Sequence, residues 1–256
     1  MRILVFRVGR KLRIIPAAAI LILVVSVLVA NRSGVAVIYS SNRALPIYSV
    51  EQDGKKAAIT FDCAWGADDI PEILDTLKRE NVKATFFLVG DWADKFPEAT
   101  RRIAQDGHDL GNHSDTHPHM GGMSRERIIS EITGCSSRLQ KFSDRKIELF
   151  RAPYGEYDDQ VVKTAEVLGC YTIQWNVDSL DWKPGISKSE ILNRIMSKTA
   201  PGAILLFHND TAHTAKLLTE VVQWLKREGY QLVPVSEMIY RENYTIDFEG
   251  RQRKKQ

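Results

Sequence analysis

An α/β fold built on a parallel sheet is what the 256-residue sequence predicts, and three observations carry it. From Ala57 onward short apolar runs alternate with longer amphipathic ones, 44% hydrophobic and 26% charged residues suffice for a sizeable core, and no repeat or low-complexity tract breaks the pattern. Disorder, collagen and a disulfide-knotted miniprotein are excluded by the same figures. Regular spacing favours closure into a barrel, while a doubly wound open sheet shares the periodicity.

The first strand, 57–62, is an apolar run ending on Asp62, and the helical period of 70–80 follows it. A second apolar run, 84–89, precedes a helix at 97–105 that opens on Pro97. Strand 108–112 leads through a histidine-rich stretch to the amphipathic segment 124–142. Strand 148–151 is short, and the helix after it, 158–168, has Asp158 as N-cap and Gly169 just past its end. The run 171–177 and the helix 187–199 come next, then the apolar strand 203–208, the helix 211–228 stopped by Gly229, and a last strand at 230–234. Strands alternating with helices in this way make a parallel sheet, and in such sheets sites gather at the carboxyl ends of the strands. Asp62, His113, Arg151, Asp178 and His208 all fall there.

The formal net charge of +3 is unevenly spread: residues 1–13 hold five bases and no acid, residues 241–256 five bases and three acids, and the stretch between 25 bases and 29 acids. That distribution excludes a nucleic-acid surface, because phosphate binding needs clustered Lys and Arg on the folded domain. Behind the basic start, residues 14–30 carry no charge, and Ser26 is their one polar side chain. As a helix this stretch rises about 25 Å, enough to cross a bilayer core with local thinning. The expected organisation is a cytoplasmic basic segment at 1–13, a single-pass transmembrane helix or signal anchor at 14–30, a connector at 31–56, an extracytoplasmic domain at 57–240 and a polar basic tail at 241–256. A secretory signal cut near Gly34-Val35-Ala36 is the competing reading and exports the same domain. Cys63, Cys135 and Cys170 allow at most one disulfide, and none is expected.

Gly111-Asn112-His113-Ser114-Asp115-Thr116-His117 is the sharpest local signal. Two imidazoles four residues apart share a face if the segment makes a helical turn, which lets both bind one metal. His119, after Pro118, is expected to be exposed. A third ligand has to come from elsewhere, a carboxylate by preference, and Thr60-Phe61-Asp62-Cys63-Ala64-Trp65-Gly66-Ala67-Asp68-Asp69 supplies candidates. Arg151-Ala152-Pro153-Tyr154-Gly155 joins an arginine able to pin a carboxylate to a rigid turn able to aim a backbone N–H. Asp178-Ser179-Leu180-Asp181-Trp182 adds two acids and an aromatic that could face a sugar ring, and Leu206-Phe207-His208 puts an imidazole at the end of an apolar strand.

In this order the five motifs resemble those of the polysaccharide deacetylases, the NodB-homology domain of carbohydrate esterase family 4, over about residues 57–240. The resemblance implies a deformed (β/α) barrel of NodB type and hydrolysis of N-acetyl groups from N-acetylhexosamine polymers. Peptidoglycan is the favoured polymer for a domain tethered outside a cell membrane. The anchor and the Asp-Cys-Ala-Trp-Gly variant further resemble the deacetylases of spore-forming Gram-positive bacteria. Carried over residue by residue, Asp62 is the general base and Arg151 its ion-pair partner, while His113 and His117 hold a divalent metal, zinc with cobalt or nickel as alternatives. The Tyr154 N–H binds the oxyanion, His208 protonates the leaving amine with Asp181 or Asp178 as partner, and Trp182 and Leu206 bound the substrate pocket beside Tyr154. One position departs from the pattern. Many members follow the base with a second, metal-binding aspartate, and Cys63 stands there. Asp68, or Asp69, looping back is the expected substitute, with the Cys63 thiolate or a site of two protein ligands as alternatives. The alternative function is a noncatalytic glycan-binding protein.

Overall fold

The structure, a computed structural model, describes residues 43–255. The helix expected at 14–30 lies outside them, and among the described residues no helix is long and apolar enough to cross a membrane. The strands are β1 (Ser49–Val50), β2 (Lys56–Cys63), β3 (Thr85–Leu88), β4 (Asp109–Asn112), β5 (Leu149–Phe150), β6 (Tyr171–Thr172), β7 (Val177–Asp178), β8 (Ala203–His208), β9 (Gln231–Leu232), β10 (Tyr244–Ile246) and β11 (Arg251–Lys254). The helices are α1 (Ile70–Arg79), α2 (Gly90–Lys95), α3 (Pro97–Gln105), α4 (Arg125–Leu139), α5 (Asp159–Val167), α6 (Lys188–Lys198), α7 (Thr214–Arg227) and α8 (Val235–Met238).

Strand alternation decides what each side of the sheet buries. In β2, Ala57, Ile59, Phe61 and Cys63 join an apolar cluster with Ile73, Leu74 and Leu77 of α1 and Leu218 and Val222 of α7. The intervening Ala58 joins a second cluster with Phe87 and Ile204 inside the curl of the sheet. The stripe Ile70, Ile73, Leu74, Leu77 has the spacing of one helix face, and each such side chain contributes about 2 kcal/mol on burial. Helix ends follow the expected chemistry. Asp158 accepts from Val161 N–H (2.9 Å), Ser187 and Glu190 form a capping box, and Gly169 and Gly229 sit in the left-handed region.

The parallel strands run in the order β8-β2-β3-β4-β5-β6. Two short segments span the gap between the ends of this curled sheet. Residues 171–177, expected as one strand, divide into β6, which pairs with β5, and β7, which pairs with β8. The end of the expected connector does the same: Ile47 exchanges backbone hydrogen bonds with Thr172 and Gln174 (2.8 and 2.7 Å), and β1 then pairs antiparallel with β8. Gly202 makes that approach possible, since its φ is +82° and a Cβ there would lie 1.6 Å from the Val50 carbonyl oxygen. The expected basic tail also contains strands. Residues 244–254 form the hairpin β10–β11, whose second strand pairs with β1 and whose Gln252 is fully buried.

Candidate active site

Asp62 stands at the carboxyl end of β2 and Arg151 directly follows β5. Arg151 is completely buried; its Nη1 donates to Asp62 Oδ1 (2.6 Å) and Thr60 Oγ1 (2.9 Å), its Nη2 to the Gln174 carbonyl (3.1 Å). Its guanidinium also lies 4.0 Å from the centre of the Phe87 ring. Burial alone would raise the Asp62 carboxyl, but its neighbours, the Arg151 charge first among them, outweigh that and hold the group below the usual carboxylate range.

His113 follows β4, and the stretch to His117 is a loop, not the expected helical turn. Ser114 and His117 both have left-handed backbones, φ +66° and +59°. Side chains hold this conformation: Asn112 Oδ1 accepts from Ser114 N–H (2.8 Å), Ser114 Oγ from His117 N–H (3.0 Å), and the buried Glu131 carboxylate from Asp115 N–H, Thr116 N–H and Thr116 Oγ1 (3.0, 2.9 and 2.9 Å). The two imidazoles meet with ring centres 5.0 Å apart.

The donor chemistry at this pair suits a divalent cation. His113 Nδ1 faces the Arg151 carbonyl at 2.8 Å and must carry the proton, which leaves its Nε2 lone pair directed at Asp62 Oδ2, 3.6 Å away. Burial keeps both rings neutral, pulling His113 down and His117 down to about 4. The buried Nδ1 of His117 has no hydrogen-bond partner among the described residues. A third ligand does not arrive from the expected segment. Asp68 is exposed, Asp69 Oδ2 accepts from Asp210 N–H (2.9 Å), and Cys63 packs in the apolar cluster that includes Phe61, Ile70 and Trp92, where burial pushes its thiol well up. Among the described residues no three His, Cys, Asp or Glu side chains gather as a metal cage. The residues therefore fit a cation held by two imidazoles, and Asp68, the expected third ligand, stands exposed on the loop after β2.

His208 ends β8 as the register partner of Asp62 on β2. Its Nδ1 lies 2.8 Å from Asp181 Oδ1, and the buried Asp181 also accepts from His208 N–H (2.8 Å) and Thr214 Oγ1. Burial disfavours a charged His208, but the hydrogen bond and charge of Asp181 more than compensate, so the imidazole is raised above its ordinary value. Asp178 is not the partner; its Oδ1 caps Leu180 N–H (2.8 Å).

Around these groups runs an aromatic rim. Tyr154, at φ +59° in a single 3-10 turn, exposes its ring 4.6 Å from that of His117, and the exposed His119 stacks on it at 4.2 Å. Trp182 is exposed beside Asp181, while Leu206 is buried two residues before His208. Two contributors carried no expected role. Trp65 places its ring edge-on to His117 at 5.7 Å, and Glu131 braces the histidine loop. Trp65 lay inside a motif and its exposure was the missing fact; for Glu131, one acid among several on an amphipathic helix, the sequence holds no signal.

The fold and this set of strand-end residues define a parallel-sheet hydrolase site. The family model for polysaccharide deacetylase matches residues 49–173. A Bacillus cereus peptidoglycan-N-acetylglucosamine deacetylase is 34% identical over 187 residues, 72% of this chain and 68% of the relative. Among solved structures, the Bc1960 peptidoglycan N-acetylglucosamine deacetylase matches with a TM-score of 0.73 at 31% identity, covering 78% of this chain and 95% of that one. BA3943 of Bacillus anthracis, a CE4 family pseudoenzyme, matches with the same TM-score at 35% identity over 76% of this chain and 69% of its own, and a mutant of it has restored enzymatic activity. The chain belongs to the polysaccharide deacetylase family and is a hydrolase of that class.

Proposed function

We propose that this protein removes N-acetyl groups from N-acetylhexosamine residues of peptidoglycan, outside a cell membrane to which residues 14–30 tether it. One observation carries the reaction. A carboxylate paired with a buried arginine, Asp62, and an imidazole paired with a buried carboxylate, His208, stand side by side at the ends of adjacent strands. Amide hydrolysis needs a base to take a proton from water and an acid to give one to the amine, and these two groups are biased in those opposite directions. The relatives named above support peptidoglycan as the polymer, and the charge asymmetry around residues 14–30 supports the location.

His113 and His117 would hold the metal. A divalent ion there, zinc by its affinity for imidazole, with cobalt or nickel as substitutes, lowers the pKa of water and polarises the acetamide carbonyl. Asp62, fixed by Arg151, takes the proton of the attacking water. The turn at Tyr154 offers its N–H to the oxyanion, and His208, whose charged form Asp181 favours, protonates the departing nitrogen. Leu206 and Trp182 bound the space for the acetyl methyl.

The test is acetate release by the 256-residue chain from defined N-acetylated glycan fragments, muropeptides included, with added zinc or cobalt. Activity that chelator abolishes and His113→Ala removes is expected; turnover indifferent to both overturns the mechanism. A second reading, a glycan-binding protein without turnover, is favoured by the pseudoenzyme among the structural matches and by the fact that among the described residues no third His, Cys, Asp or Glu side chain gathers with a pair of such ligands. No bound metal after reconstitution, with glycan binding retained, would establish it.

A further inference from the structure

Asp181 is the buried carboxylate that holds His208, and the reaction explains only one of its two oxygens. Oδ1 lies 2.8 Å from His208 Nδ1, whereas Oδ2 accepts from the His208 backbone N–H (2.8 Å) and from the hydroxyl of Thr214. Thr214 is the first residue of α7 and is completely buried. Valine would fill the same space without a polar group to satisfy, so the presence of a hydroxyl there points to the bond it makes.

That hydroxyl has one proton, and its direction is set by a second threonine. Thr211 Oγ1 accepts from Thr214 N–H (3.1 Å) and donates its own proton to Thr214 Oγ1 (2.7 Å). Thr214 Oγ1 thus accepts from Thr211 and donates to Asp181 Oδ2. Both threonines are fixed by the start of α7, so the donor stands at a set point beside the carboxylate. A chain of hydroxyls ending on an anion polarises along its length, which draws negative charge away from Oδ1.

Proton delivery needs a balance at this point. His208 must be charged to act as an acid, which Asp181 favours, but an imidazolium held too firmly is a weak acid. A donor on Oδ2 stabilises the carboxylate even when the imidazole is neutral, so it reduces what the carboxylate gains from the charged ring.

We propose that Thr214 is a positioning residue for His208: its hydroxyl occupies Oδ2 of Asp181, leaves Oδ1 to face Nδ1, and loosens the hold of the carboxylate so that the Nε2 proton can pass to the amine. The part in proton delivery rests on the deacetylase reading above; the hold on the imidazole does not.

NMR titration of the imidazole resonances of the 256-residue chain in detergent follows His208 directly, with His208→Gln identifying its signal. In Thr214→Val, which keeps the shape and removes the hydroxyl, the His208 midpoint should rise by about half a unit or more, opposite to the fall expected for Asp181→Asn. Thr214→Ser should return it to the parent value. Thr211→Val, which removes the donor to Thr214, should raise it by less and decides the matter where Thr214→Val does not fold. The other charged groups around His208 stay in place in all three variants: Asp62 with Arg151, Asp178, and the imidazoles of His113 and His117. An unmoved midpoint, or one that Thr214→Ser shifts as far as Thr214→Val, leaves only packing at this position and overturns the proposal. A fall overturns it too, because the hydroxyl would then reinforce Asp181. Acetate release is read separately across pH. Thr214→Val should lower kcat about threefold with KM unchanged and move the basic limb upward. A parent chain that releases no acetate sinks the deacetylase reading and leaves the midpoint to decide the hold on His208. Release at the parent rate despite a raised midpoint removes Thr214 from proton delivery.

Discussion

Asp62 and His208 are register partners on the adjacent parallel strands β2 and β8, and each has its own buried counter-charge, Arg151 for one and Asp181 for the other. Their spacing is thus set by sheet hydrogen bonding, while their charge states are set by residues 89 and 27 positions away along the chain.

Asp62→Asn should lower acetate release by about 10²–10⁴-fold, the usual range for a lost general base. It should also cost about 3 to 5 kcal/mol of stability in thermal or urea unfolding, because Arg151 stays charged and fully buried without its partner. A variant that loses activity but melts like the parent would show that Arg151 finds another partner.

The pH profile should carry the signature of His208. Its folded value lies above the ordinary 6.5, raised by Asp181 with smaller help from Asp62 and Asp178. The acid form is therefore present at low pH and lost as pH rises through that raised value, giving a basic limb above 6.5. The stability it contributes has the same sign, complete below the unfolded value and lost as pH rises through the folded one. Asp181→Asn should shift the basic limb toward acid; a limb that stays in place would assign it to another group.

Glu131→Ala removes the acceptor for Asp115 N–H, Thr116 N–H and Thr116 Oγ1. The loop should relax from its two left-handed residues, and zinc affinity measured by calorimetry should fall about 10- to 100-fold, as for other groups that orient metal ligands. Glu131→Gln, which keeps an acceptor, should fall between parent and Ala.

Cys63→Ala should leave zinc stoichiometry unchanged and cost about 1 kcal/mol of stability, since the thiol packs in the apolar cluster against the helices. Loss of bound zinc would return the thiolate to the ligand set.

What was legible in the sequence was what strand alternation and strand ends determine. Asp62, Arg151 and His208 could be placed on one face because each ends or follows an apolar run, and His113 because it follows the short strand 108–112; a parallel sheet aligns those ends. Partnerships set by loops were not legible. Asp178 and Asp181 differ by three positions, and only the fold shows that one caps Leu180 while the other reaches His208. The loop after β2 is drawn toward Asn209 and Asp210 by the bonds at Gly66, a course that no spacing in the sequence announces. The hairpin β10–β11 was hidden by its charges. Its strand character comes from pairing with β1 and from Gln252, whose amide bonds both the N–H and the carbonyl of Tyr240, while Arg253 meets Glu51 and Asp247 at the surface.

The position of the loop 64–69 has an evolutionary consequence. β2 is fixed by pairing with β3, β8 and β9, so inserting or deleting one residue in it would exchange the facings of Asp62 and Cys63 and cost the fold as well as the site. The loop after it bears no such load at Asp68, which is exposed. A lineage can gain or lose a ligand there while the curled sheet, the carboxylate–arginine pair and the aromatic rim persist. Turnover and glycan recognition can then be inherited separately on one scaffold.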